Sequence, residues 1–238
     1  MTDTFLSARW ENLVMANYVV NPDVLTPYLP KGVELDFHNS KTYVSLVGFM
    51  FKQTNLFKIP IPVLGTFEEI NLRFYVKRVE GDRIKRGVVF INETVPYKLV
   101  ALLANKLYKE HYIAIPTKSA IEMTSNSKQI TYQWKINKEW NHLTVNAASE
   151  NEYMLLGSIE EFIFEHYYGY TKIDSQVTQE YKVNHPRWQV NKVIDCSVHC
   201  DFKSMYGNDF SFLSNHQPAS VILAEGSRVT VNWKRTSF

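Results

Sequence analysis

Glu69, Asn71 and Arg73 stand two apart in the stretch TFEEINLRFYVKRV. In extended chain, residues at that spacing share one face of a strand. Three hydrogen-bonding side chains on one side could orient a carboxylate or carbonyl, with Arg73 as a forked donor. The same row could equally be the solvated outer face of an antiparallel sheet. A second group is HPRWQ, where His185, Arg187 and Trp188 surround Pro186. His185 could exchange a proton near neutral pH, Arg187 could bind an anion and Trp188 could wall a pocket. The alternative is a rigid turn, with His185 bonded to backbone and Trp188 in the core. The third is Lys118, two residues after Pro116 in LYKEHYIAIPTKSAIEM. A lysine in a dry pocket loses its proton readily, and only the free amine attacks a carbonyl.

The segment CSVHC suggests a metal through Cys196, His199 and Cys200. Read as a strand, it places the two thiols ~13 Å apart, too far for a disulfide or a shared ion. Small buried thiols are the simpler reading, and no metal site is expected. His38, His111, His142, His166 and His216 are scattered and define no triad. There is no G-x-S-x-G elbow, Walker A loop, H-E-x-x-H or G-x-G-x-x-G, which removes the commonest enzyme classes. Tyr43, Phe49, Phe51, Phe74, Tyr75, Tyr132 and Trp134 could line an apolar cavity or fill a core.

The elements that must position these groups are mostly strands. NPDVLTPYLP has Asn21 as an N-cap and Pro22 at the first helical position, and Pro27 and Pro30 keep that helix short. KTYVSLVGFMF is apolar on both faces and reads as a strand buried on both sides. In TFEEINLRFYVKRV, Ile70, Leu72, Phe74 and Val76 point one way, and Glu69, Asn71, Arg73 and Tyr75 the other. EGDR then turns the chain into RGVVFIN, making a hairpin. PYKLVALLANKLY reads as a helix after Pro96. QITYQWKI and HLTVNA alternate and should pair. Ser158 and Glu161 form a capping box that opens a helix through GSIEEFIFEHY. Strands follow near YTKID, TQEYKV and QVNKVIDCSV, then an irregular stretch around DFKSMYGNDF. ASVILAEGSRVTVNWKR reads as a closing hairpin turned at Glu225 and Gly226, with Val229, Val231 and Trp233 inward.

This order of elements predicts an α+β, mainly antiparallel sheet that curls or closes, with a few short peripheral helices. The chain of 238 residues shows no linker, repeat or low-complexity tract, so a single domain over 1–238 is expected. A net charge of +2 with no basic stripe argues against nucleic acid. No signal peptide and no membrane-spanning apolar run are seen, and two cysteines form no disulfide framework, so the expected setting is cytoplasmic, without a membrane partner.

The order ANYVVNPDVLTPYLPKGVELD, FEEINLRFYV, IPTKSAIEM, YKVNHPRWQV resembles the YqjF-like domains of unknown function, relatives of acetoacetate decarboxylase, over most of the chain. The resemblance implies a closed β-barrel or cone with helices outside and a cavity within. Self-association is common in that fold, which leaves a homo-oligomer open. In the decarboxylases a lysine directly after a proline forms a Schiff base with the keto acid. Here Pro116 matches the proline, Thr117 falls where that lysine stands, and Lys118 matches a second lysine beside it. Threonine forms no imine, and adjacent strand residues face opposite sides, so Lys118 takes its place only through a bulge. Glu11 stands where the relatives carry an arginine, with Arg9 two residues away. Glu69, or else Glu68, lies near their pocket glutamate.

The leading expectation is a barrel that binds a small carbonyl- or carboxylate-bearing ligand without a cofactor and without Schiff-base decarboxylation. Glu68, Asn71, Arg73, Thr117, His185, Arg187 and Trp188 are its expected ligand contacts. The second is an acid–base enzyme of lyase or isomerase type on a keto acid-like substrate, with Glu69 as acid or base and Lys118 or Arg73 steadying an enolate. The third is a non-enzymatic interaction protein whose barrel is filled. Borohydride added with acetoacetate should leave the mass of the chain unchanged, by intact-protein mass spectrometry. A reduced adduct mapped to Lys118 would contradict this reading of the segment.

Overall fold

In the computed structural model the described residues are 4–61, 64–232 and 236–238. The chain opens with a long strand, β1 (Thr4–Val20), and a one-turn helix, α1 (Pro22–Leu25), whose N-cap Asn21 accepts from Asp23 N at 3.0 Å. A short β2 (Glu34–Leu35) leads into β3 (Thr42–Leu56), β4 (Ile59–Pro60), β5 (Phe67–Glu80) and β6 (Arg83–Val95). Next come α2 (Lys98–Tyr108), β7 (Tyr112–Ala114), β8 (Thr117–Met123), β9 (Ser127–Ile136) and β10 (Glu139–Tyr153). The last part holds α3 (Ile159–Phe164), β11 (Tyr168–Lys172), β12 (Thr178–Asn184), β13 (Gln189–His199), α4 (Phe202–Tyr206), β14 (Ser220–Asn232) and β15 (Thr236–Ser237).

Seven of these strands close on themselves. They pair in the order β14, β1, β3, β5, β6, β11, β12, and β12 returns to β14 through Val183 with Val231 and Asn184 with Thr230. Every junction is antiparallel except β6 with β11. A second layer, β8–β9–β10–β13, leaves the ring where β13 pairs with β14. It supplies Ile130, Tyr132, Trp134, Leu143 and Val145, which pack against Ile70, Leu72, Phe74 and Val76 of β5. β5 is therefore covered on both faces. Its apolar row faces the second layer and the row Glu69, Asn71, Arg73 faces the interior of the ring. β3 is buried from Thr42 through Phe51, as its two-sided apolar sequence requires.

Two irregularities change which residues face inward. Leu72 pairs with Asn92 but Arg73 pairs with Phe90, so β6 carries one extra residue, Ile91. Such a bulge reverses the parity beyond it, and both Phe90 and Glu93 line the interior. In β1 a second shift falls between Glu11 and Val14, where Asn12 has φ 54°.

The expected closing hairpin is not formed. β14 runs unbroken from Ser220 to Asn232, and Gly226 sits mid-strand opposite Glu11. Its φ of 83° is the glycine-favoured conformation that Glu-Gly suggested as a turn, but here it serves the irregular stretch of β1. A Cβ at this position would collide with the Trp10 carbonyl oxygen. Val229 and Val231 are buried, while Trp233 lies outside the described residues. The stretch expected to be irregular is helical instead: α4, capped by Asp201 on Ser204 N, continues into 3-10 turns over Asn208–Asn215. In the capping box, Ser158 accepts from Glu161 N, but the Glu161 carboxylate accepts from Gly157 N, one residue earlier than the usual pattern.

Gly226→Ala should lower stability by about 1–3 kcal/mol, since the new methyl meets backbone and the φ disfavours it. Urea unfolding measures this, and a midpoint equal to that of the parent protein would mean that β1 and β14 do not meet as described.

Candidate functional site

The ring encloses a cavity of about 160 Å³, room for a small organic molecule or several waters. Its walls are largely apolar: Phe49, Phe51 and Phe67 on one side, Phe164 and Trp188 on another, and Val100, Leu103, Ala104 and Leu107 of α2 as a cover. Among them stand Glu69, Asn71, Arg73, Glu93, Glu110, Tyr112, His166 and His185.

Glu69 and Asn71 are almost wholly buried, at 3% and 1% exposed. Asn71 Nδ2 donates to Glu69 Oε1 at 2.9 Å, and the Tyr112 hydroxyl donates to Glu69 Oε2 at 3.2 Å. Glu93 lies against the same Tyr112 hydroxyl, and Glu110 accepts from Thr171 Oγ1 at 2.6 Å. Burial pushes Glu69 up to about 7, against the hydrogen bonds from Asn71 and Tyr112 and the nearby Arg73. Burial likewise carries Glu110 to about 7, despite its bonds to Thr171 and Tyr181. Glu93 goes well above the usual carboxylate range through burial and the charges of Glu110 and Glu69. Two carboxyls in one dry space cannot easily both ionise, and burial together with the neighbouring acids favours the protonated form of Glu93. Tyr112 is also pushed far up, by burial first.

Arg73 is half-buried and forms no salt bridge among the described residues. Its Nη2 lies 3.5 Å from Met15 Sδ, its guanidinium 5.8 Å from the Tyr75 ring centre, and its Nε is buried with no partner. Asn71 Oδ1, Glu93 Oε2 and His166 Nδ1 are buried and unpartnered too. Orphaned polar atoms are rare in native interiors, and here five of them, with Trp10 Nε1, belong to residues of one cavity.

Of the other expected site residues, His185 and Trp188 border the cavity and the rest fall elsewhere. Glu68, on the opposite face of β5, accepts from Thr117 Oγ1 at 2.9 Å and Ser119 Oγ at 2.7 Å. Glu68 and Thr117 therefore meet each other, but under the second layer rather than in the ring. Lys118 is exposed on β8, its ammonium 4.2 Å from the Trp140 ring centre, so the structure does not bring it to Glu69. The physical reason is the strand period: Thr117 and Ser119 turn to Glu68 and Lys118 must turn away. Glu11, at the position where the resemblance expects an arginine, pairs with Arg9 and with Lys52. Arg187 bonds Glu161 at 2.7 Å and the Met154 carbonyl at 3.1 Å, at the surface. Trp188 is in the core and donates to Ser227 Oγ at 2.8 Å. His185 stacks on Trp188, with ring centres 4.1 Å apart, and its Nδ1 lies 2.8 Å from the Pro186 carbonyl. It borders the cavity, and burial, with Arg73, lowers it to about 4 despite that backbone contact.

Of the aromatics, Phe49 and Phe51 line the cavity, whereas Phe74, Tyr132 and Trp134 fill the core under the second layer. Tyr43 and Tyr75 belong to the cluster around the ring interior. Glu93, Glu110, Tyr112 and His166 were not singled out from the sequence. The available signal was an acid or histidine inside an apolar, aromatic run, as in INETV, KEHYIA and FEHYY. Cys196 and Cys200 are free, and among the described residues no three His, Cys, Asp or Glu side chains group as a metal site.

A carboxyl whose folded pKa is raised adds stability at low pH and loses it as pH climbs through the folded value. With Glu69 raised from 4.5 to about 7, the urea midpoint should fall between about pH 5 and 8. Glu69→Gln should flatten that slope, with the remainder carried by Glu93 and Glu110. An unchanged slope would mean that Glu69 titrates as an ordinary surface acid.

The comparisons with known proteins agree with this architecture. The uncharacterized protein YqjF of Bacillus subtilis (strain 168) is 25% identical over 195 residues, covering 79% of this chain and 76% of that one. Among solved structures, an acetoacetate decarboxylase-like enzyme from Sphingomonas wittichii RW1 matches with a TM-score of 0.66 at 10% identity, over 100% of this chain and 94% of that one. The enduracididine biosynthesis enzyme MppR complexed with pyruvate matches with a TM-score of 0.67 at 12% identity, over 100% and 91%. At such identities the likeness establishes the acetoacetate decarboxylase-like fold and nothing about chemistry. The family model described as an uncharacterized conserved protein covers residues 7–228, and the chain belongs to that family, DUF2071, of which YqjF-like proteins are members.

Proposed function

We propose that this protein binds a small organic acid inside the ring of strands, with the carboxylate on Arg73 and an apolar body against Phe49, Phe51 and Phe67. The observation that carries this reading is the Arg73 guanidinium, set in a largely apolar cavity with no salt-bridged acid and a buried, unpartnered Nε. A partly desolvated cation without a counter-ion is costly, and a bound carboxylate supplies paired, charge-assisted hydrogen bonds. Asn71 Oδ1 and Glu93 Oε2, both buried without a partner, are further polar points that fix one orientation of a carbonyl-bearing ligand. The cavity size favours a ligand of few heavy atoms. MppR, similar in fold, was solved with pyruvate, which supports the choice of 2-oxo acids as first probes.

An imine mechanism finds no support here. Lys118 stands in solvent over Trp140, Thr117 is bonded to Glu68, and the described cavity lining contains no lysine. A second reading, acid–base catalysis on the bound acid, is favoured by one observation: Glu69, hydrogen-bonded to Tyr112, is raised to about 7, where a carboxyl can both give and take a proton.

Titration calorimetry with pyruvate, 2-oxobutyrate and acetoacetate should give saturable binding of at least one of them. Arg73→Met should weaken it by at least about tenfold, since one charge-assisted pair contributes more than ~1.4 kcal/mol. Equal affinity in the variant, or no binding of any small carboxylate, would overturn the reading.

A further inference from the structure

Behind Arg73 lies a buried pair that the binding reading does not use. His166 sits between α3 and β11, almost wholly buried, and belongs to the cavity lining. Its Nε2 is 3.3 Å from Asp36 Oδ2, and Arg86 Nε reaches the same oxygen at 3.1 Å. The other Asp36 oxygen accepts from Phe37 N at 3.1 Å, and Asp36 N donates to the Tyr75 carbonyl at 3.0 Å. Asp36 is thus held at both carboxyl oxygens and tied through backbone to β5. Burial opposes its ionisation, but the His166 hydrogen bond, Arg86 and Lys77 outweigh burial and hold it below the usual carboxylate range.

An ionised Asp36 needs an N–H on the nitrogen that faces it, which fixes the proton of neutral His166 on Nε2. The lone pair then stands on Nδ1, and Nδ1 is the buried atom without a partner. The ring cannot easily turn, because Tyr75 packs on it at 4.9 Å and Phe162 meets it edge-on at 5.0 Å. Burial lowers His166 below its ordinary value against the pull of Asp36, with Arg86 and Arg73 acting in the same direction as burial. The imidazole is therefore neutral and able to accept a proton. Tyr75 also relates this base to the binding group: the Arg73 guanidinium lies 5.8 Å from the same ring that His166 touches. Tyr75 is itself fixed through its hydroxyl to Ser45 Oγ at 2.6 Å.

We propose that Asp36 and His166 form a general-base dyad for a 2-oxo acid held on Arg73, His166 being the catalytic residue and Asp36 the positioning residue. This rests on the binding reading above. The dyad removes a proton from the carbon beside the ketone. The C–H bond breaks and its pair becomes the C=C bond of an enolate, while the carbonyl π pair moves onto oxygen. The proton forms an N–H bond on Nδ1, and the imidazolium so made is steadied by Asp36. Glu93, whose Oε2 is buried without a partner and whose burial favours the protonated form, supplies a hydrogen bond to the enolate oxygen. Return of a proton from Nδ1 to carbon restores the ketone, so the cycle needs no oxidant, reductant or cofactor.

The test is exchange of the C3 protons of 2-oxobutyrate in D2O, followed by proton NMR with the intact protein, with calorimetric binding of the same acid measured alongside. The wild-type chain should accelerate exchange over buffer. His166→Gln should bind within about twofold of wild type and exchange at least about 100-fold more slowly, the usual contribution of one general base. Asp36→Asn covers the case in which His166→Gln fails to fold. The charged and titratable groups facing the imidazole are Asp36, Arg86, Arg73 and Tyr75. Loss of the Asp36 charge leaves two cations, so the acid limb of the rate profile should move to lower pH, a shift that a merely structural role would not produce. Wild-type binding without exchange, or exchange by His166→Gln at the wild-type rate, overturns the dyad and leaves the binding reading intact. Absence of binding overturns both.

Discussion

A guanidinium removed from water must be compensated by an anion or by well-placed acceptors, or it destabilises the fold that buries it. Arg73 is half-removed from water at the centre of a ring of strands, beside Tyr75 and Met15, and no acid is bonded to it. Its nearest carboxyl neighbours do not serve. Glu69 is engaged by Asn71 and Tyr112, and burial with the neighbouring acids favours the protonated form of Glu93. The cavity thus presents one positive fork in a space walled largely by aromatic and aliphatic carbon, with three buried acids set among it. That imbalance gives the site its sign, its size limit and its preference for a ligand with one charged end.

The ring can hold such a group because β5 is sandwiched. With apolar layers on both sides, its period of two sorts one row into the packed core with Trp134 and Tyr132, and the other into the cavity. The position at which the resemblance places the imine-forming lysine, Thr117 of β8, lies against the opposite face of β5. There Thr117 and Ser119 satisfy Glu68, so a network of neutral donors stands where an amine would be needed. On the cavity side, α2 supplies the cover. Asn105 bonds Tyr112 at both backbone N–H and carbonyl, at 2.7 and 2.9 Å. The cover and the hydroxyl beside Glu69 are therefore coupled, and displacement of α2 would disturb the acids it shelters.

Much of this was legible in the sequence where a local period or cap decides the structure. The alternation of β5, the pairing of β9 with β10, and Asn21 and Ser158 as caps all follow from side-chain spacing, and the inward row of β5 is one of the two faces that spacing allows. What was not legible depends on long-range geometry. The Ile91 bulge reverses parity in β6 and turns Glu93 inward, where strict alternation after Phe90 would have placed Asn92. Gly226 carries the positive φ of a turn residue in a strand that does not turn, because its partner strand is irregular there. Asp36 and His166 are 130 residues apart, and no spacing rule connects them. Of the seven histidines, the ring brings His166 and His185 to the cavity and leaves the others outside it.

The central claim concerns an anion beside Arg73. A high-resolution crystal structure of protein purified without added ligand and then soaked with 2-oxobutyrate tests it most directly. The account predicts density for a carboxylate within hydrogen-bonding distance of the Arg73 guanidinium, with the alkyl end toward Phe49 and Phe51. An Arg73 side chain bonded instead to Glu69 or Glu93 in a collapsed interior, with no density in the ring, would contradict it.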